Sequence, residues 1–253
     1  MNKYIADLHV HTALSPCCNN LMTPKTIIEA AKAIGLNIIA VSDHNAGNNV
    51  DVMKRLADAA GISLLYSLEL HVQESFHMLT LFEDRASYQQ WLEIVELRRS
   101  KQLLETDIGK AQHIFDDNDE IIGTIAERLN LDSSIPVREA IAAVHELGGI
   151  CIASHIDRAY DSVLLAFAGA VPEDLAFDAL EISSETLMPK ALEKYAALRS
   201  RYPFVTNSDC HIPEEFVKGP KTIFHINEPT LSEILLALNN RAGRAVEFKS
   251  REW

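Results

Sequence analysis

A chain of 253 residues with 47% hydrophobic and 23% charged residues has the balance of a globular protein with a sizeable core, which excludes disordered, collagen-like and low-complexity classes. Its 23 Lys and Arg against 36 Asp and Glu leave a net charge of −13. An acidic surface repels a polyphosphate backbone, so a nucleic-acid partner is disfavoured, whereas a small phosphorylated substrate is not, because bound divalent ions reverse the local potential.

No apolar run reaches the roughly 18 residues of a membrane span. The opening residues Met1 to Asp7 lack a basic region followed by an apolar stretch, so a secretory signal is not expected. The expectation is a cytoplasmic protein with no membrane partner and with its four cysteines, Cys17, Cys18, Cys151 and Cys210, reduced.

In chain order, Tyr4 to Leu8 reads as a first strand. Thr23-Pro24 opens a helix with Ile27, Ala31 and Ile34 on one face and Gly35 as its stop. Ile38 to Val41 is a buried strand, Val50 to Ala60 a helix, and Leu64 to Leu70 and Met78 to Phe82 two further strands. The rhythm breaks over 84–130. There Ser87-Tyr88-Gln89-Gln90 resembles a capping box heading a helix through Leu92, Val95 and Arg99. The run Asp116-Asp117-Asn118-Asp119-Glu120 reads as a solvated loop, since it lacks the glycine and terminal glutamate of a calcium loop. The stretch is expected to be a mostly helical insertion, placed to cover the site, in a single domain spanning 1–253.

Alternation resumes with a helix over Pro136 to Leu147, then Gly148-Gly149 and a strand at Ile150 to Ala153. Ala179 to Ser183 is another strand, Lys190 to Arg199 a helix and Phe204 to Thr206 a seventh strand. The tail adds Thr222 to Ile226 and a helix starting at Thr230-Leu231-Ser232-Glu233. Strands alternating with helices predict an α/β fold with a largely parallel sheet, a (β/α) barrel of seven strands.

The polar residues fall in a pattern. His9 and His11 follow the first strand, Asp43-His44 the second, and Glu69 ends the third. His77 begins the fourth strand, His155 follows the fifth, and Asp209 and His211 follow the seventh. The carboxyl ends of parallel barrel strands open onto one face, so residues spread over the chain converge there. His9 and His11, two apart, point the same way on an extended chain. One histidine after a strand is ordinarily a hydrogen-bonded structural residue; six placed at strand ends beside Glu69 and Asp209 predict a metal site. His71, His113, His145 and His225 fit no such pattern and read as structural, with His71 the nearest to Glu69.

This order of residues resembles the PHP family, the polymerase and histidinol phosphatase domain. The resemblance implies a distorted seven-stranded (β/α)7 TIM-like barrel carrying two or three divalent ions, with Zn, Mn and Fe all compatible with the ligand types. It implies that His9, His11, Glu69 and Asp209 hold one metal and that Glu69 bridges to a second, bound by His77 and His155. His44 and His211 would hold a third, and Asp43 would orient a ligand or its loop.

One position departs from the family. Ser15-Pro16-Cys17-Cys18 occupies the stretch where an acid or histidine completes the third metal's shell, and Cys17 stands at the ligand position. As a thiolate Cys17 would serve and favour a softer metal such as zinc; packed instead, it would leave the third site weak. Cys18, Cys151 and Cys210 read as structural. Arg158, three residues past His155, is a candidate phosphate clamp or an ordinary salt bridge.

The function implied is a metal-dependent phosphoesterase that hydrolyses a small phosphate ester with a metal-activated water at a di- or trinuclear site. Asp43 and Arg158 are the candidate catalytic side chains. Two alternatives stand beside it: an amidohydrolase-like metal hydrolase and a non-catalytic metal-binding regulatory module.

Overall fold

The structure, a computed structural model, describes residues 1–104 and 112–251; residues 105–111, inside the expected insertion, lie outside the described residues, as do 252 and 253.

Strand β1 (Asn2–Val10) leads to helix α1 (Pro24–Ala33), where the Thr23 side chain accepts from the Thr26 N–H and Pro24 pre-sets the first turn. Strand β2 (Ile38–Val41) lies parallel to β1, and helix α2 (Val50–Ala60) ends at Gly61, whose φ of 72° suits a residue without a Cβ. Strand β3 (Ser63–His71) continues the parallel set. Strand β4 (His77–Phe82) then turns back and pairs antiparallel with β3. An antiparallel strand starts where its parallel neighbours end, so His77, first in β4, arrives at the same end of the sheet as the residues closing β1, β2 and β3.

Helix α3 (Arg85–Arg98) starts earlier than expected: its cap is Asp84, which accepts from the Ser87 N–H at 2.9 Å. It packs on β3 and β4, with Trp91 Nε1 donating to Thr80 Oγ1 at 2.9 Å. The stretch beyond it differs from the mostly helical expectation. Strands β5 (Gln112–Phe115) and β6 (Ile121–Ile125) form a separate antiparallel hairpin. Its acidic turn is folded locally, Asp116 Oδ1 accepting from the Asn118 and Glu120 N–H groups. Asp119 docks on the start of α1, accepting from the Lys25 N–H at 2.9 Å, where the helix dipole favours a carboxylate.

Helix α4 (Val137–Glu146) precedes β7 (Ile150–Ala153), which pairs antiparallel with β4. Gly149 is required here, because a Cβ would lie 2.5 Å from the Phe82 ring and 2.8 Å from the Leu81 carbonyl. The short helix α5 (Val163–Ala166) leads to β8 (Ala179–Ile182), parallel to β7. Helices α6 (Met188–Lys194) and α7 (Ala196–Arg199) precede β9 (Phe204–Thr206), parallel to β8. After α8 (Pro213–Lys218), β10 (Lys221–Ile226) pairs antiparallel with β1, and beyond α9 (Leu231–Leu238), β11 (Ala245–Lys249) flanks β10.

The result is an α/β fold whose main sheet has nine strands in the order β11-β10-β1-β2-β3-β4-β7-β8-β9: the seven barrel strands expected, the tail segment read at Thr222 to Ile226, which is β10, and β11, which was not read. The sheet curls into a nearly closed barrel: the Asp209 N–H donates to the His9 carbonyl at 3.0 Å, and the Leu8 N–H to Asn207 Oδ1 at 2.8 Å. Inside lies an apolar cluster that includes Leu8, Ala40, Leu65, Leu79 and Ile152, joined by Ile234 of α9. Outside, Val10, Val41, Leu64 and Met78 pack with the helices. Leu8 belongs to the inner cluster and Val10 to the outer, and the pairing register of β1 shifts between Asp7 and Val10. That β-bulge puts His9 on the inner side along with Leu8. No helix among the described residues is long and apolar enough to cross a membrane.

Candidate metal centre

At the end of the barrel where β1, β2 and β3 terminate, His9, His11, His44, Glu69, His77, His155 and Asp209 are all buried. Two of them hold backbone conformations unusual for non-glycine residues, His155 at φ 27° and Asp209 at φ 47°. Such strain clusters at functional sites because only the surrounding contacts maintain it.

Two sets of donor atoms stand out. His9 Nε2, His11 Nε2 and Asp209 Oδ1 form a triangle with sides of 3.1, 3.2 and 3.2 Å. Glu69 adds Oε1 at 3.2 Å from His9 Nε2 and Oε2 at 3.4 Å from His11 Nε2. His77 Nδ1, His155 Nε2 and Glu69 Oε1 form a second triangle, each side 3.3 Å. Ligands about 2.0–2.2 Å from a tetrahedral ion lie about 3.3–3.6 Å apart, so each triangle is close to the spacing of three of the four ligands of such a shell, and Glu69 borders the first and belongs to the second.

Both Glu69 oxygens and His44 Nδ1 are buried without a hydrogen-bond partner. Orphaned acceptors of this kind need an explanation, and a cation supplies one. The third group is looser. His44 Nδ1 lies 3.1 Å from Glu69 Oε2, and one ring nitrogen from each of His11, His44 and His211 lies within 4.8 Å of the others.

The charges are mutually compensating. Burial alone would raise the Glu69 carboxyl, but His77 and His9 hold it well below the usual carboxylate range. Burial likewise opposes ionisation of Asp209, and His9, His11, His211 and Arg158 outweigh it, keeping the carboxyl well below its ordinary value. His77 is pushed down to about 4, chiefly by burial. His211 is raised to about 9 against the effect of burial, by its hydrogen bond with Cys17 and the charge of Asp209. Ionised carboxylates offset by imidazole protons form a site where metal binding releases protons.

Several supporting residues were not read from the sequence. Glu181, in the middle of the apolar strand β8, lies 2.9 Å from His9 Nδ1 and also accepts from Asn207 Nδ2 and the His155 N–H. That contact leaves Nε2 of His9 as the free lone pair. The one signal in the sequence is a lone acid at an inward position of a four-residue buried strand. Asp7 makes a buried ion pair with Lys221 at 3.0 Å and accepts from the Ser208 N–H and hydroxyl, fastening the turn before Asp209.

Asp43 does not reach the cleft. It accepts from Thr12 and from Ser15 Oγ at 2.7 Å, and Ser15 Oγ lies 3.1 Å from His11 Nδ1. Asp43 is thus buried, linked to His11 through Ser15, and not among the residues that line the cleft.

The centre opens into a cleft of about 460 Å³ lined by Cys17, His44, Arg158, Tyr160, Arg251 and others. Arg158 Nη1 lies 2.6 Å from Asp209 Oδ2, its Nε 3.6 Å from Glu185, and its guanidinium over the Tyr160 ring. Cys17 sits at the exposed rim; its hydrogen bond with Cys18, with further help from His44 and His211, holds the thiol far below its ordinary range. Cys18, read as structural, has its sulfur in the same group, while Cys151 and Cys210 are buried in the core. His71 is closer to the centre than expected, edge-on to His77 at 4.3 Å and with Nε2 2.9 Å from Asp132. His145 and His225 lie in outlying pairs with Asp178 and Glu247. The carbonyl of His113 accepts from Asn49.

Among solved structures, the chain is similar to the lesion-specific endonuclease PfuEndoQ of Pyrococcus furiosus, with TM-score 0.68 and 20% identity over 97% of this chain and 58% of that one. It is also similar to an endonuclease Q complex with a 27-mer duplex substrate bearing an abasic lesion at the active site, with TM-score 0.69 and 19% identity over 96% of this chain and 58% of that one. A protein of Bifidobacterium adolescentis assigned as a metal-dependent phosphoesterase gives TM-score 0.53 and 21% identity over 81% of this chain and 87% of that one. This chain thus spans little more than half the length of the endonuclease Q chains. No curated protein matches it.

The endonuclease Q complex corrects the expectation that nucleic acid is disfavoured. A protein of this fold is solved with duplex DNA at its active site. Net charge is a sum over the whole surface, whereas the field at a cleft is set locally: Arg158 and Arg251 line this one together with Glu69, Asp161, Glu185, Asp209 and Glu215, and bound cations would offset those acids. The PHP domain model matches residues 7–162, a span that takes in every candidate ligand from His9 to His155, and the chain belongs to the PHP domain family.

Proposed function

We propose that this protein is a metal-dependent phosphoesterase working at a cluster of divalent ions. His9, His11, Glu69 and Asp209 would hold one ion, and Glu69, His77 and His155 a second. His44 and His211 would hold a third together with Cys17. The observation that carries this reading is the pair of 3.1–3.4 Å donor sets sharing Glu69. When bound, such ions lower the pKa of a water and neutralise charge on a phosphoryl group.

The protein's own groups supply orientation. Glu181 and Ser15 fix the rings of His9 and His11 with their Nε2 atoms turned into the cluster. Arg158, anchored on Asp209 at the wall of the cleft, offers its remaining N–H groups to a substrate phosphate. The likeness to endonuclease Q brings phosphodiesters of nucleic acid into the substrate class. A bridging glutamate in place of a lysine, with no lysine lining the cleft among the described residues, favours this chemistry over the amidohydrolase type. The four free cysteines suit a reducing compartment, the cytoplasm.

The test is metal content of the purified chain, followed by hydrolysis of a phosphomonoester, a simple phosphodiester and a duplex carrying an abasic site, with manganese or zinc supplied. Turnover of any of these, lost in His9→Ala and Asp209→Ala, is expected. A metal-loaded protein that hydrolyses none of them would overturn the reading.

A further inference from the structure

We propose that the third position is a thiolate site, in which Cys17, His44 and His211 hold a soft divalent ion of the zinc class while the Cys18 S–H donates to the Cys17 sulfur. This rests on the phosphoesterase reading above and adds which ion sits at the mouth of the cleft, and through which atom.

The donor set differs in kind from the other two. The first two groups combine imidazole with the carboxylates of Glu69 and Asp209, ligands that accept Zn, Mn or Fe. At the third, the sulfurs of Cys17 and Cys18 and a ring nitrogen of His211 lie within 4.8 Å of one another, and Cys17 also hydrogen-bonds His44. Thiolate with imidazole discriminates against manganese and magnesium in favour of softer ions.

The histidines are prepared for this role by contacts independent of the cysteines. His211 Nδ1 lies 2.9 Å from the Asp209 carbonyl oxygen, which places its proton on Nδ1 and leaves Nε2 as a lone pair. His44 is buried, with Nδ1 3.1 Å from Glu69 Oε2 and a ring nitrogen within 4.8 Å of those of His11 and His211, so its ring borders both groups.

The backbone ties the two halves together. The Cys18 N–H closes a turn on the Ser15 carbonyl at 3.0 Å, and the Asn19 N–H donates to the His211 carbonyl at 2.9 Å. The cysteine turn and the histidine loop are therefore joined directly by a backbone hydrogen bond. On binding, Cys17 ligates as the thiolate.

The test is cobalt(II) substitution of the full chain, read by absorbance together with cobalt content. A near-ultraviolet sulfur-to-cobalt charge-transfer band is expected as the last ion enters. Cys17→Ser should abolish the band. Cys17→Asp should abolish it while restoring the ion, with zinc preference over manganese lost at that position. Cys18→Ala should shift the band and leave it present, because a hydrogen bond to the ligating sulfur is removed.

Cobalt bound at the His9 and His77 groups with no charge-transfer band, or a band that survives Cys17→Ser, would overturn the inference and leave the phosphoesterase reading standing. Absence of any bound cobalt would remove both.

Discussion

Glu181 Oε2 lies 2.9 Å from His9 Nδ1, while the other nitrogen of the same ring lies 3.2 Å from both Glu69 Oε1 and Asp209 Oδ1. One imidazole thus links a carboxylate outside the cluster to two within it. The outer contact fixes the tautomer and ring angle, so the inner nitrogen meets the cluster without searching rotamers. Glu181→Ala is expected to weaken metal binding by about 10- to 100-fold, measured by competition with a chromophoric chelator. Glu181→Gln should lose less, since its amide oxygen still accepts from Nδ1. An alanine variant with wild-type affinity would show that Glu181 only packs.

The Asp7–Lys221 pair, 3.0 Å apart and essentially shielded from water on both sides, sits under the turn that carries Asp209. Removing one partner strands a buried charge, at a cost of about 3–5 kcal/mol. Lys221→Met should lose stability of that order in urea unfolding. Asp7→Asn combined with Lys221→Met should recover part of it, because neither charge remains. A single variant within about 0.5 kcal/mol of wild type would contradict the assignment.

His145, in the last turn of α4, shares Asp178 with the Cys151 N–H of β7. The hydrogen bond that the imidazole donates to Asp178 raises it above its usual 6.5. A raised folded pKa contributes stability that is fully present below the unfolded value and lost as pH climbs through the folded one. The wild-type advantage over His145→Gln should therefore shrink as pH climbs above the ordinary imidazole value and through the raised one, as read by denaturant midpoints. An advantage that grew with pH would reverse the sign and refute the pairing.

Arg158 divides its guanidinium between Asp209 and the open cleft. If its free N–H groups take a substrate phosphate, Arg158→Ala should raise KM by about 10- to 100-fold, the worth of a charge-assisted hydrogen bond of about 1.5–3 kcal/mol. Arg158→Lys should restore part of this, as a point charge without the fork. A variant that lost metal and kept KM would make Arg158 a support for Asp209 alone.

Much of the centre was legible because its residues sit at strand ends, and strand ends are marked by short apolar runs followed by turns. His9, His11, His44, Glu69, His77, His155, Asp209 and His211 could be placed on one face by counting strands, whatever the exact barrel. Glu181 was hidden, since nothing local separates a buried acid serving a histidine from one facing solvent across a strand edge. The β5–β6 hairpin was missed because its strands are only partly buried and flank an acidic run, so no continuous buried apolar segment marks them as it marks the equally short core strands.

The identity of the clustered histidines and acids and the family were thus legible in the sequence alone, since they depend only on residue type and order, whereas Cys17 was left open between ligand and packing. Three matters were decided by tertiary structure. The antiparallel course of β4 brings His77 to the shared end, and the bulge in β1 separates His9 from Asp7, so that one enters the cluster and the other pairs with Lys221. The sign of the field at the cleft is set by which few charges face it. Each of these depends on contacts between residues far apart in the chain, which no local pattern records, and net charge sums over the very distinctions that matter.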